Sequence, residues 1–440
     1  MNVTWTWTDA GWTAADGEAW NRVAGSSGPV PVALDARHVQ AMLGARERHV
    51  AAVRWWEGDR LVGVALVEDT VAESRALERH VEARSPLFRA MSRVVHGRDG
   101  VLKFPVRVVG HVLGSGDAAY RFVPEISAEA AAEAVDRAVR RGPAGPSGRR
   151  PGVVLVKDFP VAADAGAVGG SAVWRRGWFG LEFDPVMRVP VGAEWSGFSD
   201  YLGALKTKAR TKVNRIAVCS EGCEFLELSL DEVQERAEAL HSLYLEVYSG
   251  AAFRLGGLHA EDLVRMKAAW GEQFRVISIR HEGEEVGFLC GFLGEEGIEA
   301  FMVGFRPGFQ RELALYQRML IEFIRWGIES GSPWVNLGRT ALDIKSSVGA
   351  LPFRMAMAVR FRNPLLHVLA RWAARLSRPR PVELKQAWRS EVLASVLGQA
   401  PETGGLRTRP CRLRRPCPRF HRGLNAHRVR LRTCRTATSA

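Results

Sequence analysis

Cysteine is scarce: the 440 residues hold six. Cys219, Cys223 and Cys290 are the ones outside the C-terminal tail, and their spacing forms no disulfide framework, as expected of a reducing compartment. Long apolar runs are also missing. No stretch approaches the roughly 18 uncharged apolar residues that a membrane-spanning helix needs. The first residues carry Trp5, Trp7 and Asp9 in place of a basic segment followed by an apolar core, so no signal peptide is recognisable. The expected location is the cytoplasm.

Acidic residues are nearly absent from the tail. Residues 401–440 contain eleven Arg and one Glu, a balance of +10, so of the chain's net +13 only 13 − 10 = +3 belongs to the first 400 residues. Most of the charge is therefore a tail property. The tail has no apolar periodicity and is expected to be disordered. Its Cys411, Cys417, His421 and His427 lack both the usual ligand spacing for zinc and an apolar framework, so no metal site is expected.

The chain as a whole is 47% hydrophobic and 25% charged, and the sequence before the tail is ordinary globular sequence long enough for two cores. Its most informative stretch runs from Gly297 to Phe361. It reads as a strand (298–305), a turn at Arg306-Pro307-Gly308, a long helix (312–329), a strand (334–338), a short helix (341–349) and a strand (353–360). Leu313, Leu320, Ile321, Ile324 and Ile328 form the helix's apolar face, and Gly331 with Pro333 stops it. A helix opening just beyond a strand's end suits an anionic or carbonyl-bearing ligand.

In the first half a strand (3–8), a helix (36–43) and a hairpin (51–56, 61–67, turning at 57–60) are expected. A helix (72–94), a strand (102–109), a Gly-rich bend, a helix (128–140) and a strand (153–156) follow. The second half repeats the plan with helices at 230–247 and 260–274 and a hairpin at 276–280 and 285–292, which suggests a duplicated α/β lobe. Between the halves Lys206, Lys208, Arg210, Lys212 and Arg215 lie on an amphipathic helix with no acidic residue among them, either a solvated face or a patch for phosphates. Residues 363–376 form a basic amphipathic helix that either docks on the second lobe or, over 363–378, makes peripheral contact with an anionic membrane. A last helix is expected at 382–397.

The segment Leu337-Gly338-Arg339-Thr340, continuing through Lys345 to Gly349-Ala350, resembles the late strand-helix segment of the FemAB-like branch of the GNAT acyltransferase superfamily, which shows L-G-R-T-x-x-x-x-K-x-x-x-G-A there. The basic helix at 206–215 is similar to one that branch often carries between lobes. The resemblance covers roughly 194–362 and implies an α/β (α+β mixed sheet) fold of tandem GNAT-like lobes, each a mostly antiparallel sheet flanked by helices. The divisions it suggests are 1–192, 193–362, C-terminal helices at 363–400 and the tail at 401–440. It also implies transfer of an acyl group from acyl-CoA (acetyl-CoA), a small-molecule donor, to an amine acceptor without a metal. A tRNA-dependent aminoacyl transfer to a cell-wall precursor, or a non-catalytic binding protein of the same shape, are the alternatives.

The donor loop of such enzymes, [RQ]-x-x-G-x-[GA], is here Arg306-Pro307-Gly308-Phe309-Gln310-Arg311, with one Gly and a Pro that removes a donor. Phe305, Arg306, Gln310, Arg311, Glu312 and Leu313 are the expected donor-binding residues. Tyr316, Arg339, Lys345 and Asn336 are the catalytic candidates. Arg339 either meets a carboxylate or phosphate or pairs with Asp343. Tyr316 is a candidate proton donor to a leaving thiolate, and Glu312 complements the helix dipole. His241, Tyr244 and Tyr248 on one helix are candidate acceptor-binding residues, and Cys290 is expected in the core.

Overall fold

The computed structural model describes residues 3–43, 45, 48–73, 103–116, 119–145, 148, 150–160, 177–182, 184–250, 255–376 and 384–392. Two mixed sheets organise them. The first takes β1 (Thr4–Thr8), β2 (His49–Glu57), β3 (Arg60–Glu73), β4 (Lys103–Val109), β6 (Val153–Pro160), β15 (Met355–Phe361) and β7 (Phe179–Glu182) in that spatial order, with β5 (Tyr120–Phe122) beside β3. The second runs β14 (Leu351–Phe353), β8 (Val186–Pro190), β13 (Trp334–Asn336), β12 (Gly297–Phe305), β11 (Glu284–Gly294), β10 (Phe274–His281) and β9 (Cys223–Glu227).

The two sheets are built alike. In the first, β1 leads through α1 (Ala14–Ala24) and α2 (Ala36–Met42) to the antiparallel β2, β3 and β4, and then through α3 (Ala128–Arg141) to β6, parallel to β4. In the second, β9 leads through α6 (Leu230–Ser249) and α7 (Ala260–Trp270) to β10, β11 and β12. It then passes through α8 (Gln310–Leu313) and α9 (Leu315–Glu329) to β13, parallel to β12. The expected mixed α/β fold of two tandem lobes is what the structure has. The lobes exchange strands: β15 completes the first sheet between β6 and β7, and β8 completes the second beside β13.

Local chemistry accounts for the helix starts. Thr13 and Asp16 form a capping box on α1, Ser127 caps α3 and Ser229 with Glu232 boxes α6. Helices α1, α2, α6 and α7 lie in one continuous core between the inner faces of both sheets, around Trp20, Trp55, Phe288 and Phe292. The other face of the second sheet packs on α5 (Thr207–Cys219), α9 and α10 (Leu342–Ser347), preceded by α4 (Phe198–Ala204). Helix α11 (Pro364–Leu376) packs on Val106, Val108 and Val359, the face of the first sheet that also carries Glu68, and α3 lies on the opposite face, where Trp55 donates to the Ala134 carbonyl at 3.3 Å. Cys290 is fully buried in β11, where it was expected.

Several expectations are corrected. The helix expected at 72–94 begins as strand, since β3 runs to Glu73, and 74–94 lie outside the described residues. The helix at 260–274 stops at Trp270, because Gly271 turns the chain at φ 54° into β10. The single helix at 312–329 is two, broken at Ala314, whose left-handed φ of 50° interrupts the ladder. Residues 384–389 are extended and not helical: Trp388 bridges Leu205 and donates its indole N–H to the Gly349 carbonyl at 2.7 Å. Helix α1 and strands β7 and β8 were not foreseen. The tail 401–440 lies outside the described residues. Among those described, no helix is long and apolar enough to cross a membrane.

The parallel pairing of β12 with β13 depends on Gly297, which has φ 123° and where a Cβ would collide with the Trp334 carbonyl. Gly297→Ala is expected to lower stability by about 2–3 kcal/mol. Gly308→Ala, where nothing lies within 4 Å, is expected to stay within about 0.5 kcal/mol of the parent. Urea unfolding followed by tryptophan fluorescence checks both, and equal midpoints for the two variants would contradict the assignment.

Candidate active site

The two parallel strand pairs meet at one place. In the first lobe β4 and β6 stay paired until Val109 and Val156 and then part. In the second, β12 and β13 pair only at Ile298–Val335 and Glu299–Asn336 and then part. Between these openings lies a cavity of about 40 Å³, lined from the first lobe by Gly110, His111, Ser115, Gly116, Lys157 and Asp158, and from the second by Glu299 and Asn336 with Arg188. That volume accommodates one or two water-sized groups.

Its polar side chains are held from several directions. Lys157, one residue past the last β4 partner in β6, donates Nζ to the carbonyls of His111 (2.9 Å), Val112 (2.9 Å) and Gly114 (2.5 Å), which folds the Gly110–Gly116 bend over the cavity. Burial holds its pKa below the ordinary lysine value. Asp158, forced to φ 58°, accepts from the Gly116 amide at 3.2 Å and from Arg339 Nη2 at 2.5 Å. Asn336 donates Nδ2 to the Ser115 carbonyl at 3.1 Å and accepts at Oδ1 from the Gly338 amide at 2.9 Å. Residues Gly338, Thr340 and Ala341 all have positive φ (70°, 66°, 47°), a strained turn that aims Arg339 across to the other lobe.

Glu299 is the group with the most distinctive protonation. Burial pushes its carboxyl up to about 7, reinforced by Glu296 and opposed by a backbone hydrogen bond from Ser115 and by Arg188 and Lys157. A carboxyl poised there accepts a proton at neutral pH. Deeper in the same wall His111 Nδ1 lies 2.5 Å from Glu68 Oε1, and Arg48 ties Glu68 (3.4 Å) to Asp262 (2.7 Å) on α7. Burial opposes ionisation of Glu68, but His111, Arg48 and the Val112 amide outweigh it and hold the carboxyl below its usual value. His38 stands 4.8 Å from His111, ring to ring, and burial drives its pKa well down.

The sequence candidates fall into three groups. Asn336 lines the cavity, Arg339 reaches its wall through Asp158, and Lys345 lies behind Arg339. Arg339 pairs with Asp158, while Asp343 pairs instead with Lys385 at 2.8 Å. Lys345 is buried, donates Nζ to the Arg339 carbonyl, and is brought down to about 7 by burial against the pull of Asp184.

The donor-loop residues lie at the other end of β12. Phe305 packs on Tyr316 (ring centroids 6.3 Å apart), six strand positions from Glu299, or about 20 Å. Gln310 Oε1 accepts from the Tyr316 amide at 2.9 Å and its Nε2 donates to Gln317 at 2.7 Å, so Gln310 caps α9. Burial raises the Tyr316 pKa, and the structure places this hydroxyl away from the cavity. Arg306 pairs with Glu284 at 2.7 Å, Arg311 and Glu312 are exposed, and the Leu313 side chain is in the core, leaving only its backbone for a ligand.

His241, Tyr244 and Tyr248 stack along α6 (6.1 and 5.2 Å), with Tyr244 Oη accepting from the Leu258 amide and Tyr248 Oη donating to the Gly256 carbonyl; none lines the cavity. Glu299, Lys157, Asp158 and His111 were missed. The readable signal was a charged residue inside each apolar strand, Glu299 beside Ile298 and Lys157-Asp158 after Val153–Val156.

Because the folded state holds a proton on Glu299 up to about 7 and the unfolded state releases it near 4.5, stability falls as pH rises between those values. Glu299→Gln removes this cost. Its stability relative to the parent is expected to increase by on the order of 2 kcal/mol between about pH 5 and about pH 8, read from urea unfolding at both. A constant difference would refute the raised pKa.

No known protein family matches the chain, and no curated protein matches it. Solved structures similar to it include FemX, with TM-score 0.48 and 10% identity over 84% of this chain and 100% of that one. Another is a tandem GNAT protein from the clavulanic acid biosynthesis pathway, with TM-score 0.45 and 12% identity over 82% and 99%. A third is L-PGS from Bacillus licheniformis, with TM-score 0.44 and 13% identity over 84% and 98%.

Proposed function

We propose that the chain transfers an acyl group from acyl-CoA to a primary amine at the Glu299 cavity. The observation that carries this reading is a carboxyl poised near neutrality at the point where two parallel strands part. Beyond Glu299 the β12 edge that faces β13 has no strand partner among the described residues, so its backbone groups suit the amides of an extended pantetheine arm. The arm would run along β12 towards Arg311 and the start of α9, a length suited to the separation of Glu299 from the donor loop.

In the cavity Glu299 takes a proton from the acceptor ammonium, and the free amine attacks the thioester carbonyl. The new C–N bond forms, the attacking nitrogen gives up its second proton, the C–S bond breaks, and that proton passes through solvent to the departing thiolate. Asn336 and the Arg339–Asp158 pair hold the wall against which the amine is oriented. Positioning supplies the larger share of such a rate enhancement, roughly 7–11 kcal/mol against about 3–5 for the base.

One observation favours a second reading, transfer from aminoacyl-tRNA. Helix α5 packs against α8 and α9, and its Lys206, Lys208, Arg210 and Arg215 have no ion pair among the described residues. Basic groups spread around a helix of this length suit a polynucleotide better than one pyrophosphate.

Acetyl-CoA or a longer acyl-CoA at a hundredfold excess over its dissociation constant is expected to stabilise the chain by about 2.7 kcal/mol, and the shift should shrink with Arg311→Ala. Amine acylation should rise with pH through about 7 and drop about 10²–10⁴-fold in Glu299→Gln with donor binding intact. Absence of a shift with every acyl-CoA, together with steeply salt-dependent binding of charged tRNA, would replace the first reading by the second. Activity unchanged in Glu299→Gln would overturn the assignment of Glu299 as the base.

A further inference from the structure

Helix α11 sits on the first sheet the wrong way round for a core helix. Its small side contacts the protein: Ala370 and Ala374 pack on the cluster around Val106, Val108, Phe179 and Val359. His367 accepts from the Phe361 amide at 3.3 Å and stands edge-on to Phe179 at 5.3 Å. Its large apolar side faces out. Leu365 is 74% exposed, Val368 64%, Leu366 51%, Trp372 46% and Leu369 43%. At 100° per residue these five occupy an arc of about 160°, a contiguous face and not scattered single residues.

The charge around this face has one sign. Arg362 and Arg371 are exposed beside it, and Arg375, Arg378 and Arg380 follow in the sequence. No Asp or Glu occurs between Asp343 and Glu383. A second copy docked through this face would bring two arginine rims together with no local acid to offset them. The Arg-rich tail has the same sign and would be repelled likewise.

We propose that α11 is a membrane-surface helix that lies in the plane of an anionic bilayer, with Leu365, Leu369 and Trp372 in the acyl boundary and the arginines on the headgroup phosphates. Both halves of the contact are supplied by one element: apolar area for insertion and positive charge for attraction. This assignment goes beyond the acyl-transfer reading and does not depend on it.

The test is co-sedimentation of the full chain with phosphatidylcholine vesicles, with and without phosphatidylglycerol, comparing the parent with Leu365→Glu combined with Leu369→Glu. All proteins keep the basic tail, so the difference isolates the helix. The parent is expected to partition onto phosphatidylglycerol vesicles, less so at higher salt. The double variant should partition about tenfold less at unchanged melting temperature. Leu365→Ser with Leu369→Ser replaces it if the glutamates unfold the helix. Arg371→Glu should weaken binding while leaving the apolar face in place. Partitioning that is equal in parent and variant, no partitioning by the parent, or a parent dimer that the variant converts to monomer on size exclusion would each overturn the proposal.

Discussion

Asp158 is the point on which the site depends. A carboxylate 2% exposed is costly unless it is paired and hydrogen-bonded, and its partners are the Arg339 guanidinium from the second lobe and the Gly116 amide from the first. Satisfying one buried charge therefore fixes the turn after β13, the bend after β4 and the place where the lobes meet. Lys157 beside it does the same for the bend through three carbonyls. The strain at Asp158, Thr340 and Ala341 is tolerated because these contacts over-determine the backbone.

The strand exchange follows the same logic. Strands β6 and β13 each have a parallel partner on one side and would present an open edge on the other, exposing unpaired backbone groups. The edge of β6 is covered by β15 and that of β13 by β8, each drawn from the other half of the chain. With α1, α2, α6 and α7 sharing one core, the lobes are mutually dependent, and a cleavage of the sequence near residue 192 would remove β15 from the first sheet and β8 from the second.

Local patterns were legible wherever one residue's neighbours in sequence decide its fate. The hairpins at 49–73 and 274–294, the helices at 128–141 and 230–249, and the strand-helix-strand order after Gly297 were all readable from periodicity, capping residues and turns. Asn336, Arg339 and Lys345 lie within ten residues, and of the three Asn336 lines the cavity. The break at Ala314 was not, because its cause is the Gln310 side chain capping α9 and not the apolar pattern. Helix α1 was marked by Thr13 and Asp16 but is too short and polar for periodicity to reveal.

The cavity residues were hidden for a different reason. Glu299, Lys157, Asp158 and His111 come from both halves, separated by as many as 188 residues between His111 and Glu299, and become neighbours only through the meeting of two strand openings. Tyr316 shows the converse. It follows the donor loop in sequence, yet a strand of β12's length carries it away from the cavity, so adjacency to the loop and adjacency to the reacting groups are separate properties. A strand between two sites converts six residues into a fixed distance, and in this chain that distance divides the groups that hold a donor's far end from the carboxyl that handles the proton. The division also leaves the exposed side of α11 free of both, since Leu365, Leu366, Val368, Leu369 and Trp372 line neither the cavity nor the donor loop.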